Sequence, residues 1–269
     1  MRILRPIITL LSAAVTLSTA SIQVSAEQQT VLKIDGARFT LNGQPTFLLG
    51  ISYYGGLGAS QQMISRDLDD LQHHGFNWLR LWATWDSFGN DVSAVDAQGS
   101  PRLPYLEKLQ WLVAECDRRG IVVDVTLTRG RVSGESGGSL PDMAAHQRAA
   151  ESIIRALKSH RNWYLDLANE RDVRDARFVS TDELKVLREQ CRRLDPELPV
   201  TASFGGHDLS RDDVRAALND SGLDFLAPHR PRHPKSPGQT AARTREVLTM
   251  LQELGRTVPV HHQETFCRG

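Results

Sequence analysis

The sequence is poor in the features that mark several common protein classes. It has only three cysteines in 269 residues, and their spacing does not fit a zinc site. Basic and acidic residues balance, at 32 of each, so no positive excess attracts nucleic acid or an anionic membrane. Neither a dinucleotide-binding glycine turn nor a phosphate-binding loop is present. We therefore expect no cofactor and no nucleic-acid partner.

Long apolar runs are also scarce. The one run that approaches the length of a membrane-spanning helix lies at the amino terminus. Residues 1–26 contain Arg2 and Arg5, then an apolar segment, then small residues ending at Ala26. This order is typical of a secretory signal peptide cleaved after Ala26, with an uncleaved membrane anchor as the alternative. We predict a secreted or periplasmic protein that does not bind membranes after cleavage.

The part that remains after cleavage, residues 27–269, is predicted to be one monomeric domain. It carries 30 basic and 32 acidic residues, a net charge of −2. Cys116 and Cys191 lie on apolar faces of predicted helices, which is typical of core residues. Because the number of cysteines is odd, at least one, such as Cys267, is a free thiol or has an unseen partner.

Strands and helices alternate along this domain. Strict alternation predicts a parallel sheet, and seven units at this spacing favour an α/β fold of the (β/α)8 or TIM barrel type over an open doubly wound sheet. Before the first unit, the turn signals Asp35-Gly36 and Asn42-Gly43 predict a short β-hairpin. The predicted strands are 47–56, 77–85, 121–127, 163–169, 199–204, 223–228 and 258–264, and the predicted helices are 60–74, 104–119, 142–160, 181–194, 210–219 and 239–254.

The eighth unit of such a barrel is missing from this pattern. Only five residues follow Glu264, whereas a further strand and helix need roughly 30 residues. Either the chain is a truncated product or fragment, or the sheet closes without its eighth strand. We favour truncation.

Aromatic and charged residues gather at the carboxyl ends of the predicted strands, where barrels of this type place their chemistry. Aromatic faces can stack on sugar rings, and charged or amide groups can hydrogen-bond sugar hydroxyls. The aromatic residues could equally be packing residues. The candidates for substrate binding are Tyr53, Tyr54, Arg80, Trp82, Arg129, Asn169 and His229.

Two glutamates stand out among the strand ends. Glu170 and Glu264 end strands four and seven, which lie three steps apart around an eight-stranded ring, so the side chains can face each other across its mouth. Glycoside hydrolysis needs two carboxyl groups that flank the scissile bond. Glu170 could instead pair with an arginine on a solvated loop, and Glu264 could be an ordinary charge near the chain end. His261 and His262 point to opposite faces of a strand, and we predict no metal site.

Four motifs together resemble glycoside hydrolase clan A, and most of all family 5, which includes cellulases and mannanases. They are GFNWLRLWATW on strand two, LDLANE on strand four, DFLAPHRPR on strand six and VPVHHQE on strand seven. The resemblance covers residues 30–269. It implies a retaining glycosidase that hydrolyses O-glycosyl bonds of β-linked poly- or oligosaccharides.

The resemblance also implies a role for each matching residue. Glu170 would be the general acid/base and Glu264 the nucleophile. Asn169 would bind the sugar 2-hydroxyl, Arg80 would support the nucleophile, and His229 would line the site. The alternatives are a carbohydrate-binding barrel remnant without full catalysis and a metal-dependent barrel hydrolase.

Overall fold

The computed structural model of the protein describes residues 29–87, 90–127, 140–173 and 178–264. The predicted signal peptide, Arg129 and Cys267 lie outside these ranges. In the described ranges, no helix has both the length and the apolar character that crossing a membrane requires.

A three-stranded antiparallel sheet opens the described chain, formed by β1 (Leu32–Asp35), β2 (Arg38–Leu41) and β3 (Gln44–Thr46). Its second turn is Asn42-Gly43, where φ is 50° and 78°. Positive φ at both central residues is the type I′ geometry that Asn-Gly favours in hairpins. The predicted hairpin is confirmed, with one strand more than expected.

Parallel strands in chain order form the wall of the barrel. The first two are β4 (Gly50–Ser52) and β5 (Trp78–Trp82). A small antiparallel ribbon follows, made of β6 (Asp86–Ser87) and β7 (Asn90–Asp91). The wall continues with β8 (Val122–Thr126), β9 (Trp163–Asp166) and β10 (Val200–Thr201), each paired with the strand before it.

The remaining wall is made of shorter pairings. Strand β11 (Ser203–Phe204) pairs in parallel with β12 (Ala227–Pro228). Single parallel bridges, from Leu226 to Val260 and from His229 to Glu264, add the seventh segment. All seven predicted strands therefore lie side by side in the expected order, which confirms the (β/α)-barrel wall. Several are shorter than predicted because hydrogen bonding covers only part of each apolar run.

In the part of the chain that the structure describes, six α-helices alternate with the wall strands. They are α1 (Gln61–His73), α2 (Leu103–Arg118), α3 (Met143–Leu157), α4 (Thr181–Leu194), α5 (Arg211–Arg215), which continues as a π-helical turn (Ala216–Asp220), and α6 (Ser236–Glu253). The predicted helices are confirmed within a few residues, and α6 begins earlier than expected because Pro237 fits a first helical turn. The buried Cys116 and Cys191 lie on α2 and α4 as predicted.

A small aromatic core lies near the amino ends of the wall strands. Phe39 of β2 packs edge-to-face on Phe225 at a centroid distance of 5.1 Å. The ring of His261 meets Trp78 edge-on at 4.7 Å. Burial lowers the pKa of His261 to about 3, so this imidazole is neutral at physiological pH. The antiparallel sheet thus contributes a side chain to the barrel core rather than standing apart from it.

We expect the Phe39→Ala variant to lose about 3–5 kcal/mol of unfolding free energy, because it leaves a cavity in this core. Phe47→Ala is the matched control, since Phe39 is 5% exposed and Phe47 is 80% exposed. The control should stay within about 0.5 kcal/mol of the parent. Urea denaturation measures both values, and equal losses would contradict this packing.

The His261→Phe variant tests the neutral imidazole. In the unfolded chain this histidine becomes protonated below a pH of about 6.5. In the folded chain it stays neutral down to about pH 3. The parent should therefore lose stability as pH falls from 6.5 toward 3, and the variant should lose about 2 kcal/mol less between pH 7.5 and 4.5. Urea denaturation at the two pH values measures the difference, and equal losses would contradict a buried neutral His261.

Candidate active site

Arg80 stands at the centre of a buried polar cluster inside the wall. Its side chain is fully buried. Nη2 donates to Asp166 Oδ2 at 3.0 Å and to Asn169 Oδ1 at 3.0 Å. Nε lies 3.3 Å from Asp124 Oδ2, and Nη1 donates to Glu264. One guanidinium therefore joins side chains from three other segments of the barrel wall.

The charge of Arg80 is maintained by the acids around it. Burial acts to lower the pKa of this guanidinium, but the charges of Asp124, Asp166 and Glu264 outweigh burial and raise the pKa above its usual value. Burial raises the pKa of Asp124 to about 7, against the opposing effect of Arg80. Arg80 thus remains a cation, and this cation is bonded to Glu264.

Glu170 has a strained backbone that is fixed by neighbouring groups. Its φ is 49°, in the left-handed region that side-chain-bearing residues avoid. The backbone N–H of Glu170 donates to Ser203 Oγ at 3.0 Å, and its carbonyl accepts from Val173 N–H at 3.0 Å. A Cβ at Gly205 would lie 3.2 Å from Glu170 Cβ, so glycine there leaves room for the glutamate.

The carboxylates of Glu170 and Glu264 both approach the same ring nitrogen of His229. His229 Nδ1 lies 3.3 Å from Glu170 Oε1 and 3.9 Å from Glu264 Oε2. One oxygen of each glutamate and one ring nitrogen of His229 all lie within 4.8 Å of one another. Both glutamate side chains are mostly buried. The sequence analysis predicted that these two residues would face each other, and the structure places them together.

Gln263 orients the ring of His229. Its Nε2 donates to Asp124 Oδ2 at 2.6 Å, which directs its Oε1 toward His229 Nε2 at 3.2 Å. An amide oxygen only accepts, so His229 Nε2 must carry a hydrogen. This leaves Nδ1 as the ring nitrogen that faces Glu170.

Arg232 closes the cluster on its solvent side. Its Nη2 donates to Glu264 Oε2 and lies 3.4 Å from Glu170 Oε1. Glu170, His229 and Glu264 also have the donor types that a divalent cation binds. Arg80 bonds to Glu264, and Arg232 contacts both glutamates. The positive charges of these two guanidinium groups oppose a metal ion at this place.

The predicted aromatic residues fall into two groups. Tyr54 is 53% exposed and stacks on Trp82 at 4.6 Å with an interplanar angle of 21°. The buried Trp82 in turn lies 4.5 Å from Arg80 Cζ, so this pair adjoins the polar cluster. Tyr53 is different, because its hydroxyl donates to Asp67 Oδ2 on α1 at 2.5 Å. Burial and this acid raise the pKa of Tyr53.

The structure thus brings together most residues that the sequence pointed to. Arg80, Asn169, Glu170, His229 and Glu264 form one cluster, with Trp82 and Tyr54 beside it. Tyr53 is tied to α1 instead, and Arg129 lies outside the described residues.

Further members of the cluster were not predicted as site residues. Asp124 and Asp166 had a usable signal, because each is an acid within an apolar strand, where only a buried cation could balance it. The others lacked a comparable signal, since their partners come from distant segments of the chain. The additional residues are Asp124, Asp166, Ser203, Arg232 and Gln263.

In sequence, the chain matches no protein-family model and no curated protein. In structure, it is similar to several solved enzymes at low sequence identity. A glycoside hydrolase family 5 mannosidase from Rhizomucor miehei is 15% identical with a TM-score of 0.61, over 86% of this chain and 72% of that one. A β-mannanase from the blue mussel Mytilus edulis is 18% identical with a TM-score of 0.56, over 77% and 76%.

A family 5 glycoside hydrolase from Bacteroides vulgatus adds a third example. It is 15% identical with a TM-score of 0.61, over 87% of this chain and 54% of that one. At these identities the similarity is one of fold. The protein therefore has the (β/α)-barrel fold that these glycoside hydrolases share.

Changing Gln263 should release the ring of His229. In Gln263→Leu, the Nε2–H of His229 loses its acceptor. We expect the His229 ring, which is a single Nε2–H tautomer in the parent, to become a mixture of two tautomers. Nitrogen-15 NMR of the histidine rings distinguishes the two tautomers. An unchanged tautomer in Gln263→Leu would mean that another group orients His229.

Proposed function

We propose that the protein is a retaining glycoside hydrolase of the family 5 type, acting on β-linked poly- or oligosaccharides. The observation that carries the proposal is the pair of glutamates whose carboxylate oxygens come within 4.8 Å of each other beside His229. Retaining glycosidases hold their two carboxyl groups about 5–5.5 Å apart, whereas inverting enzymes need about 6.5–9.5 Å to admit a water molecule. A nearest-oxygen distance below 4.8 Å fits the shorter of these two separations, and the barrel fold supports the family type.

In the first step Glu264 attacks the anomeric carbon. Its bond to Arg80 fixes one oxygen, so the other oxygen is the nucleophile. As the carbon–oxygen bond to the leaving sugar breaks, the protonated carboxyl group of Glu170 gives that oxygen its proton. The products of this step are a glycosyl ester on Glu264 and a free alcohol on the departing sugar.

In the second step Glu170 acts as a base. Esterification removes the negative charge of Glu264, which makes an ionised Glu170 more favourable. Glu170 takes a proton from water as the water oxygen attacks the anomeric carbon. The ester bond breaks, the Glu264 carboxylate is restored, and the sugar leaves with its original anomeric configuration.

Neighbouring residues would hold the substrate. Asn169, whose Oδ1 accepts a hydrogen bond from Arg80, would hydrogen-bond a sugar 2-hydroxyl. The exposed ring of Tyr54 can stack on a sugar face. Export remains a prediction, because the signal segment lies outside the described residues. The monomeric state is likewise a prediction.

A carbohydrate-binding barrel without turnover is the second candidate. One contact favours it, because Arg232 bonds to Glu264 and lies close to Glu170. In this arrangement a guanidinium occupies the space between the two carboxylates. Binding of oligosaccharides with no hydrolysis by the parent protein would support this second candidate.

Substitution of each glutamate tests the mechanism on β-mannans, β-glucans and aryl β-glycosides. We expect Glu264→Gln to abolish activity on all of them, because the nucleophile is lost. Glu170→Gln should lower polysaccharide hydrolysis by about 10²–10⁴-fold but still release a dinitrophenol leaving group, which needs no proton. Product release is followed by reducing-end and absorbance assays.

Glu246→Gln on α6 is the matched control, because Glu246 pairs with exposed Arg243. This variant should keep the parent activity. Full activity in Glu170→Gln and Glu264→Gln would contradict the assignment of the site. Equal loss on both kinds of substrate in Glu170→Gln would contradict its role as the acid.

A further inference from the structure

Arg232 adds a feature that a site for neutral sugars does not require. It follows β12 on a loop at the solvent side of the two glutamates, and its side chain is 38% exposed. Within the described residues, its ion pairs are with Glu170 and Glu264. A sugar that places its anomeric carbon between these carboxylates must displace the guanidinium from them.

The glutamates keep other partners when Arg232 leaves. Glu264 remains bonded to Arg80, and Glu170 remains next to His229. Arg232 is the group that loses its counter-charges. The cost of entry is therefore mainly the cost of separating this guanidinium from two mostly buried carboxylates.

The segment around Arg232 offers no replacement acid. Between Asp224 and Glu246 the sequence has no acidic residue and five arginine or lysine residues. The exposed loop itself carries Arg232, His233 and Lys235. A displaced Arg232 therefore finds no carboxylate on its own segment, and the bound substrate is the group best placed to supply one.

We propose that the preferred substrate carries a carboxylate next to the cleaved bond, as a β-linked uronic acid does, and that Arg232 selects for it. This inference rests on the proposed glycosidase function. A neutral sugar displaces Arg232 and gives it no anion, whereas a uronate forms a charge-assisted pair with it. Specificity arises from this difference between the two substrates.

Two matched polymers test the selection. Poly-β-1,4-mannuronate and β-1,4-mannan differ at carbon 6, which is a carboxylate in the first and a hydroxymethyl group in the second. Poly-β-1,4-glucuronate and soluble cello-oligosaccharides form a second pair of the same kind. We expect a higher kcat/KM on the acidic member of the pair that matches the sugar configuration of the site.

Arg232→Gln should reverse this preference. We expect it to lower kcat/KM on the acidic polymer at least about tenfold, because a charged hydrogen bond is lost. The same change should raise kcat/KM on the neutral polymer, because no ion pair has to be broken. Arg243→Gln is the control, since Arg243 is 42% exposed and also pairs with two acids, Asp208 and Glu246. It should leave the ratio unchanged.

The outcomes separate this inference from the proposed function. If neutral polymers are hydrolysed and Arg232→Gln leaves the acid-to-neutral ratio unchanged, the inference is overturned and the glycosidase function stands. If nothing is hydrolysed, the glycosidase function fails, and calorimetry with mannuronate and manno-oligosaccharides decides the inference. Tighter binding of the mannuronate than of the manno-oligosaccharide would support the inference if Arg232→Gln removes the difference. Equal binding of the two ligands, or no binding, would overturn the inference.

Discussion

The buried guanidinium of Arg80 is the group on which the rest of the site depends. It joins Asp124, Asp166, Asn169 and Glu264, which come from three other segments of the barrel wall. Buried acids without a cation would be costly, and a buried arginine without acids equally so. Because each charge requires the others, the cluster fixes how these strands meet and holds Glu264 in place at the carboxyl ends of the strands.

A second set of contacts orients the ring of His229. Asp124 directs the amide of Gln263, Gln263 sets the tautomer of His229, and His229 Nδ1 faces Glu170. Asp124 also contacts Arg80, so the buried cation and the ring beside Glu170 are parts of one network. The two glutamates therefore have different surroundings, since Glu264 is bonded to Arg80 and Glu170 lies beside His229.

Much of this arrangement could be predicted from the sequence. The alternation of strands and helices predicted the wall, and position at strand ends identified Arg80, Glu170 and Glu264. The turn at Asn42-Gly43 could be predicted from this dipeptide alone. Other features depend on contacts between distant segments, which no local pattern encodes. Tyr53 bonds to α1 rather than joining the cluster, and Arg232 reaches back over both glutamates.

The covalent intermediate is the central claim of this account, and trapping it is the most direct test. The protein would be incubated with 2-fluoro-2-deoxy β-glycosyl fluorides, including a uronic acid form, and labelled peptides would be mapped by mass spectrometry. The account predicts one sugar attached to Glu264 in the parent and none in Glu264→Gln. A label on a different carboxylate, or hydrolysis of a natural substrate with inversion of the anomeric configuration, would contradict it.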